Sequence, residues 1–257
     1  MDSAEKWDRE FMSSRVRADK EPDLNFRLNL ESTQRVAEAA RTHGISRIVF
    51  SSSAAVYGDT EELPIREDST TDPINLYGSA KRLSEQLLAG HAHTFGMTAV
   101  SLRFFNVYGP RQDPRSPYSG VMSIFADRFS RGLPVTVYGD GTQTRDSVSV
   151  FDVARAVASA ATREEVGTGE YNISTGRAVR ILDILEAFQK IYPDAPEPIF
   201  ELARPGEIQD SLGATKKAER ALSFRSRVSL QDGIRSLITG ALPKVPSGSD
   251  TLLTKVA

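Results

Sequence analysis

The sequence predicts an α/β protein in which a parallel sheet is interleaved with a smaller α/β lobe. Two observations carry this. Between residues 24 and 105, helical and strand-like apolar patterns alternate at the spacing of βαβ units, which set their strands parallel. From about residue 116 the texture changes to shorter strands, turn residues and short helices, and the first pattern returns at 151–174.

Taken in order, Leu24, Leu28, Val36, Ala39 and Ala40 recur at helical intervals, and His43-Gly44 supplies a stop. Arg47-Ile-Val-Phe50 then reads as a buried strand running into the polar loop Ser51-Ser-Ser53. A helix is expected from Tyr77 to about Phe95-Gly96, followed by a strand over Thr98–Phe105. In the second texture, Val121–Arg131 looks helical, Val135–Tyr138 extended, Gly139-Asp-Gly141 a turn, and Ser147–Val150 a short strand. A helix at Phe151–Thr162 and a strand at Glu170–Ser174 return to the sheet. Ile181, Ile184, Leu185, Phe188 and Ile191 mark another helix, with a strand at Ile199–Leu202 and closing helices at Thr215–Leu222 and Leu230–Thr239. The expected partition is 1–115 plus 146–178 for the sheet domain, 116–145 plus 179–245 for the lobe, and 246–257 for a tail. Trp7, Phe11 and Met12 give the first twenty residues only a weak amphipathic pattern.

Composition narrows the function classes. With 39% hydrophobic and 26% charged residues over 257 positions, the chain reads as an ordinary soluble protein. A net charge of −2 argues against nucleic acid or an anionic membrane as the main partner. The absence of cysteine removes disulfides, thiolate metal sites and a cysteine nucleophile. His91 and His93 could hold a metal by spacing, but no third ligand is in view, so no metal site is expected. No apolar run is long enough to span a membrane, and charges run throughout Met1–Glu21, so the expectation is a cytoplasmic protein.

The chemistry concentrates at Tyr77-Gly-Ser-Ala-Lys81. On a helix, Tyr77 and Lys81 share one face. A free tyrosine titrates near ~10, so under ~1% is phenolate at neutral pH; each unit of lowering by a nearby cation is worth about 1.4 kcal/mol. Two strand ends flank this helix at the same sheet edge: the serine run before it, and Arg103-Phe-Phe-Asn106-Val-Tyr-Gly109 after it.

Together, SSSAAVYG, YGSAK and RFFNVYGPRQ resemble the extended short-chain dehydrogenase/reductase family, an NAD-dependent epimerase/dehydratase group, and within it the UDP-sugar 4-epimerases. The resemblance implies a Rossmann-like sheet with NAD and a nucleotide sugar bound between it and the lobe. It implies that Ser53 holds the substrate oxygen, that Tyr77 is the acid/base, and that Lys81 lowers its pKa and binds the nicotinamide ribose. Ser51, Ser52 and Phe105 fall on cofactor-side positions, and Asn106 on one that binds the sugar nucleotide. Arg145, in Thr144-Arg-Asp146, and Arg204, in Arg204-Pro-Gly-Glu207, match the diphosphate arginines, with Glu207 as the acidic residue that follows. Val121, Val137 and Tyr138 are candidates for the uridine pocket, with a core role equally open. The reaction implied is oxidation at the sugar 4-carbon and re-reduction on the other face. Dehydratase relatives carry an Asp-Glu pair where this chain has Ala54 and Ala55, so dehydration is disfavoured.

Family members also open with a strand and a GxxGxxG turn against the NAD pyrophosphate, and the 257 residues contain none. By βαβ units of about 30 residues, roughly 80 residues of cofactor-binding structure are unmatched. Weakened or lost NAD binding is therefore expected, leaving open a non-catalytic UDP-sugar binder or a related reductase or dehydratase. The strand at Ile48–Phe50 is expected to present an uncovered apolar edge, calling for a homodimer or another partner to cover it.

Overall fold

The computed structural model describes residue 18 and residues 20–114, 120–204 and 208–244; Trp7, Phe11, Met12, Glu207 and the tail beyond 244 lie outside this description. In chain order, α1 (Pro22–Asn25) passes through a π-helical turn, Phe26–Glu31, into α2 (Ser32–Thr42), and β1 (Arg47–Ser53) ends in a 3₁₀ turn, Ala54–Val56. Then follow α3 (Leu76–Phe95), β2 (Thr98–Phe104), β3 (Asn106–Tyr108), α4 (Val121–Ser130) and β4 (Thr136–Tyr138). Two residues of β5 (Thr144–Arg145) precede β6 (Ser147–Ser149), α5 (Val150–Thr162) and β7 (Gly169–Ile173). Last come β8 (Val179–Arg180), α6 (Ile181–Gln189), β9 (Ile199–Glu201), α7 (Lys216–Leu222) and α8 (Leu230–Thr239).

The sheet has the order β1-β2-β7, all parallel, as the alternation of patterns predicts. Residues alternate between its faces. Ile48, Phe50 and Ala99 pack with Ala37, Leu88 and Ala92 of α2 and α3 on one side. Val100, Leu102, Tyr171 and Ile173 pack with Val153, Ala156 and Ala160 of α5 and with Ala218 and Leu222 of α7 on the other. Both faces of the sheet therefore carry helices. Strand β2 is buried from Ala99 to Arg103, whereas Arg47–Phe50 of β1 are only half-buried and pair, among the described residues, with β2 alone. Among the described residues, then, β1 is an edge strand.

The lobe has its own core. Phe129 stacks on Phe188 and Tyr192, with Phe125 edge-on to both phenylalanines, so α4 and α6 close over β4. Here β4 pairs in parallel with β9, β5 antiparallel with β8, and β3 in parallel with β6.

Three expectations are corrected. The apolar stripe of the first long helix is not its packed face: Val36 is 59% exposed, while Asn25, Asn29 and Ala37 are buried. Asn25 donates to the Leu76 carbonyl and Ser84 to that of Asn29, so hydrogen bonds fasten the N-terminal part of this helix to α3. The extended run after Thr98 breaks at Phe105, and its continuation β3 leaves the sheet to pair with β6. Val150 belongs to a helix, because Ser149 caps α5 through its hydroxyl.

Candidate functional site

The site starts at the N-terminus of α3. The Asn75 side chain accepts from the Gly78 amide at 2.8 Å and caps the helix, and Gly96, at φ +67°, ends it. Gly78 is required by contact: a Cβ there would sit 2.4 Å from the Ala55 carbonyl oxygen, so only glycine lets α3 press against the turn after β1. That contact brings Tyr77 near Ser53, whose hydroxyl acts to lower the phenol's pKa and accepts the Ala55 amide at 3.2 Å. The Lys81 ammonium lies one turn on, 5.7 Å from the Tyr77 ring centroid and 4.9 Å from that of Phe50.

The electrostatics differ from the expectation. Burial raises the Tyr77 phenol above its ordinary value of 10, and the opposing contribution comes from the Ser53 hydrogen bond. Lys81 sits over the ring face rather than at the hydroxyl, and burial pushes its own pKa down to about 8. In the chain alone, then, Lys81 does not produce a lowered tyrosine.

The serine run divides by the strand's alternation. Ser51 is exposed, Ser53 faces Tyr77, and Ser52 turns into a buried polar network. Its hydroxyl donates to Glu85 Oε1 at 2.6 Å, and Arg103 grips the same carboxylate with Nε and Nη2, each at 2.9 Å. Arg103 Nη1 also reaches the Tyr57 hydroxyl, which donates to Asn172. Ser52, Arg103 and Asn172 lie side by side in the register of β1, β2 and β7. The Ser52 hydroxyl is thus committed beneath the site rather than facing a cofactor.

The residues expected to hold a substrate gather in two adjoining cavities. One of about 430 Å³ is walled by Asn106, Val121, Val137, Tyr138, Arg145 and Arg204, all named from the sequence, and by Arg128. Among the described residues no carboxylate lines it. Arg204 stacks on the Tyr138 ring at 3.6 Å, and Arg145 Nη1 donates to the Thr144 carbonyl at 2.7 Å. Val137 is nearly fully buried, so its part in the wall is a core residue's edge. The second cavity, about 220 Å³, shares Asn106 and Arg145 with the first and adds Ser53, Ala54, Ala55 and Phe105. The cleft therefore runs from the arginines to the serine that touches Tyr77.

Sequence reasoning missed Arg128. The signal was available: Val121, Phe125 and Arg128 fall at i, i+4 and i+7, one face of α4. It also missed Glu85 and Arg103 as a pair, because only the packing of α3 against β2 brings them together.

A profile described as the NAD dependent epimerase/dehydratase family matches residues 12–174. The chain belongs to this family. A putative UDP-glucose 4-epimerase of Methanocaldococcus jannaschii is 33% identical over 213 residues, covering 82% of this chain and 68% of the relative. UDP-glucose 4-epimerase of Mycolicibacterium smegmatis is 31% identical over 220 residues, with 85% and 69% covered. Among solved structures, the UDP-glucose 4-epimerase of Thermotoga maritima with UDP-glucose superposes with a TM-score of 0.84 at 32% identity, over 88% of this chain and 73% of that one. The UDP-N-acetylglucosamine 4-epimerase of Methanobrevibacter ruminantium also gives 0.84, at 28% identity, over 90% and 75%. The chain spans about two thirds of the length of these curated relatives. Within the family, Ala54 and Ala55 remain a departure from the dehydratase pattern.

The residues present fit one end of NAD. Lys81, for which no carboxylate lies in ion-pair range among the described residues, and the Ser53–Tyr77 pair offer donors for a ribose, and Phe105 walls the adjoining cavity. No glycine-rich turn for the pyrophosphate occurs in the 257 residues. Among the described residues no metal-ligand cluster occurs and no helix is long and apolar enough to cross a membrane.

Proposed function

We propose that this chain binds a UDP-sugar in the arginine-lined cleft and supports 4-epimerisation of the sugar in a family-type reaction with NAD. The observation that carries the reading is the 430 Å³ cavity charged by Arg128, Arg145 and Arg204, with no carboxylate in its wall among the described residues. A diphosphate carries two or more negative charges and matches paired guanidinium groups. Tyr138 and Val121 add the flat and apolar surface that a base and ribose need.

On this reading the sugar extends through the gap at Asn106 and Arg145 into the smaller cavity, where Ser53 holds its 4-oxygen. Tyr77 takes the 4-hydroxyl proton and later returns it, and Ser53 keeps the phenol aligned with that oxygen. NAD, when bound, supplies the hydride acceptor and donor. Lys81 and Phe105 would hold its nicotinamide end, and the positive charge of Lys81 beside a cofactor hydroxyl is what would draw Tyr77 down from its raised value. The partition into a cofactor side, 1–115 plus 146–178, and a sugar-nucleotide lobe, 116–145 plus 179–245, follows from this division of work.

A second reading, sugar-nucleotide binding without turnover, is favoured by the raised Tyr77 phenol and by the lack of a glycine-rich turn. One experiment separates the two. The chain is incubated with NAD and UDP-galactose or its N-acetyl analogue, the 4-epimer is followed, and UDP binding is measured by calorimetry. Epimer formation supports the enzyme reading; UDP binding with no epimer supports the second; absence of both sinks the proposal.

A further inference from the structure

We propose that Asp146 is a positioning residue for the sugar end of the cleft: its carboxylate seats the strap 208–214 against Phe105 and so holds one wall of the smaller cavity in place. The inference rests on the UDP-sugar reading above and adds to it a residue that acts through its neighbours. Asp146 is fully buried, and no cation pairs with it among the described residues. Its carboxylate accepts four hydrogen bonds instead: from the Thr175 amide and hydroxyl, each at 2.7 Å, from the Gly176 amide at 3.0 Å and from the Gly213 amide at 3.2 Å. All four partners donate, so only the ionised, acceptor-only carboxylate satisfies them. Burial raises the group above its ordinary 3.8, and these bonds oppose that rise.

These bonds join the segments that outline the smaller cavity. Thr175 and Gly176 follow β7, Asp146 lies between Arg145 and β6, and its own carbonyl accepts the Asn106 amide at 3.1 Å. Gly213 belongs to the strap, of which Ile208, Asp210 and Ser211 wall the cavity of Ser53 and Phe105. The strap is tied on either side of this bond: Thr144 binds Asp210 and the Gln209 carbonyl, and Ile65 binds Leu212 and Ala214. Between those ties, Gly213 comes so close to the cavity floor that a Cβ there would sit 2.5 Å from Ser174 Oγ and 2.7 Å from the Phe105 ring. Among the described residues, the larger cavity takes none of its wall from 208–214, and Arg145 is held there by the pairing of β5 with β8. Loosening the strap therefore opens the sugar end and leaves the diphosphate end as it is.

Two substitutions in the full chain test this. Asp146→Asn keeps the volume but turns an amide toward donors. Gly213→Ala leaves the carboxylate intact and pushes the strap off Phe105, and it serves if the asparagine variant melts early. Calorimetry reads UDP and UDP-galactose separately, and amide hydrogen exchange without ligand compares Gly213 with Leu102 of β2 in the unaltered chain and in Asp146→Asn. In both variants affinity for UDP-galactose is expected to fall by about 10-fold relative to UDP, with UDP itself within about twofold. Exchange at Gly213 relative to Leu102 is expected to quicken by about 10-fold or more. Equal losses for the two ligands in a folded variant overturn the proposal, because they make Asp146 a general structural residue. An unchanged affinity ratio overturns it too, as does unchanged exchange at Gly213, which would mean that the carboxylate does not seat the strap. If the unaltered chain binds neither ligand, the UDP-sugar reading itself is sunk and the positioning role falls with it, whatever the exchange at Gly213.

Discussion

The two halves of the molecule are finished to different degrees. The lobe supplies most of the wall of its cavity, Arg128, Arg145, Arg204 and Tyr138 among it, over a core of stacked Phe129, Phe188 and Tyr192, and Asn106 joins it from the sheet half. The sheet half sets Tyr77, Ser53 and Lys81 at the ends of strands of which β1 has one neighbour among the described residues. On the proposed reading, recognition of the sugar nucleotide depends mainly on the lobe, while the proton chemistry depends on groups whose charge states a bound cofactor would reset. Binding and turnover should therefore separate cleanly under mutation.

The strongest test of that separation is Tyr77→Phe. Turnover, where the unaltered chain shows it, should fall by about 10²- to 10⁴-fold while UDP affinity stays within about twofold. A parallel loss of UDP affinity in calorimetry would break the comparison. Next in size is Arg103→Met, which strands Glu85 in the core with Ser52 and Arg82 as its remaining partners. Denaturant unfolding should show a loss of about 3–5 kcal/mol. On the lobe side, Arg145→Met or Arg204→Met should weaken UDP by about 10- to 100-fold, the worth of charge-assisted bonds near 1.5–3 kcal/mol, with Tyr77 chemistry affected only through substrate occupancy.

The smallest effect concerns pH. Burial depresses Lys81 from 10.5 to about 8, so between those values the unfolded chain holds a proton that the folded chain has shed. Stability from this group should therefore rise with pH across about 8 to 10.5, and below pH 8 the buried charge is a cost. Lys81→Met should flatten that rise and lift the melting temperature at pH 7. A steeper rise in the variant would contradict the burial of Lys81.

Much of this was legible in the sequence where signals are local. The YGSAK start of α3, the strand ends at Ser53 and Asn106, and the arginines at 145 and 204 come together in the fold as the motif spacing predicts. What resisted reading was non-local. Asn25 and Asn29 take the buried face of the first long helix because of hydrogen bonds to α3, some 50 residues away in sequence, and no periodicity of apolar residues reveals that. The raised phenol of Tyr77 reflects burial, whereas spacing alone suggested a lowered one. Ser52 looked equivalent to its two neighbours until the pleat set it against Glu85.

The row formed by Ser52, Arg103 and Asn172 has a consequence for how the sheet assembles. A one-residue slip of β2 against β1 would swing Arg103 to the opposite face, among Val153 and Ala156, and would aim Leu102 or Phe104 at Glu85. Each misalignment buries the Arg103 charge without its carboxylate and leaves Glu85 only Ser52 and Arg82, so no partly correct alignment is favourable. Because Ser53 follows Ser52 directly and Lys81 stands one helical turn before Glu85, that all-or-none alignment also fixes where the Ser53 hydroxyl and the Lys81 ammonium arrive.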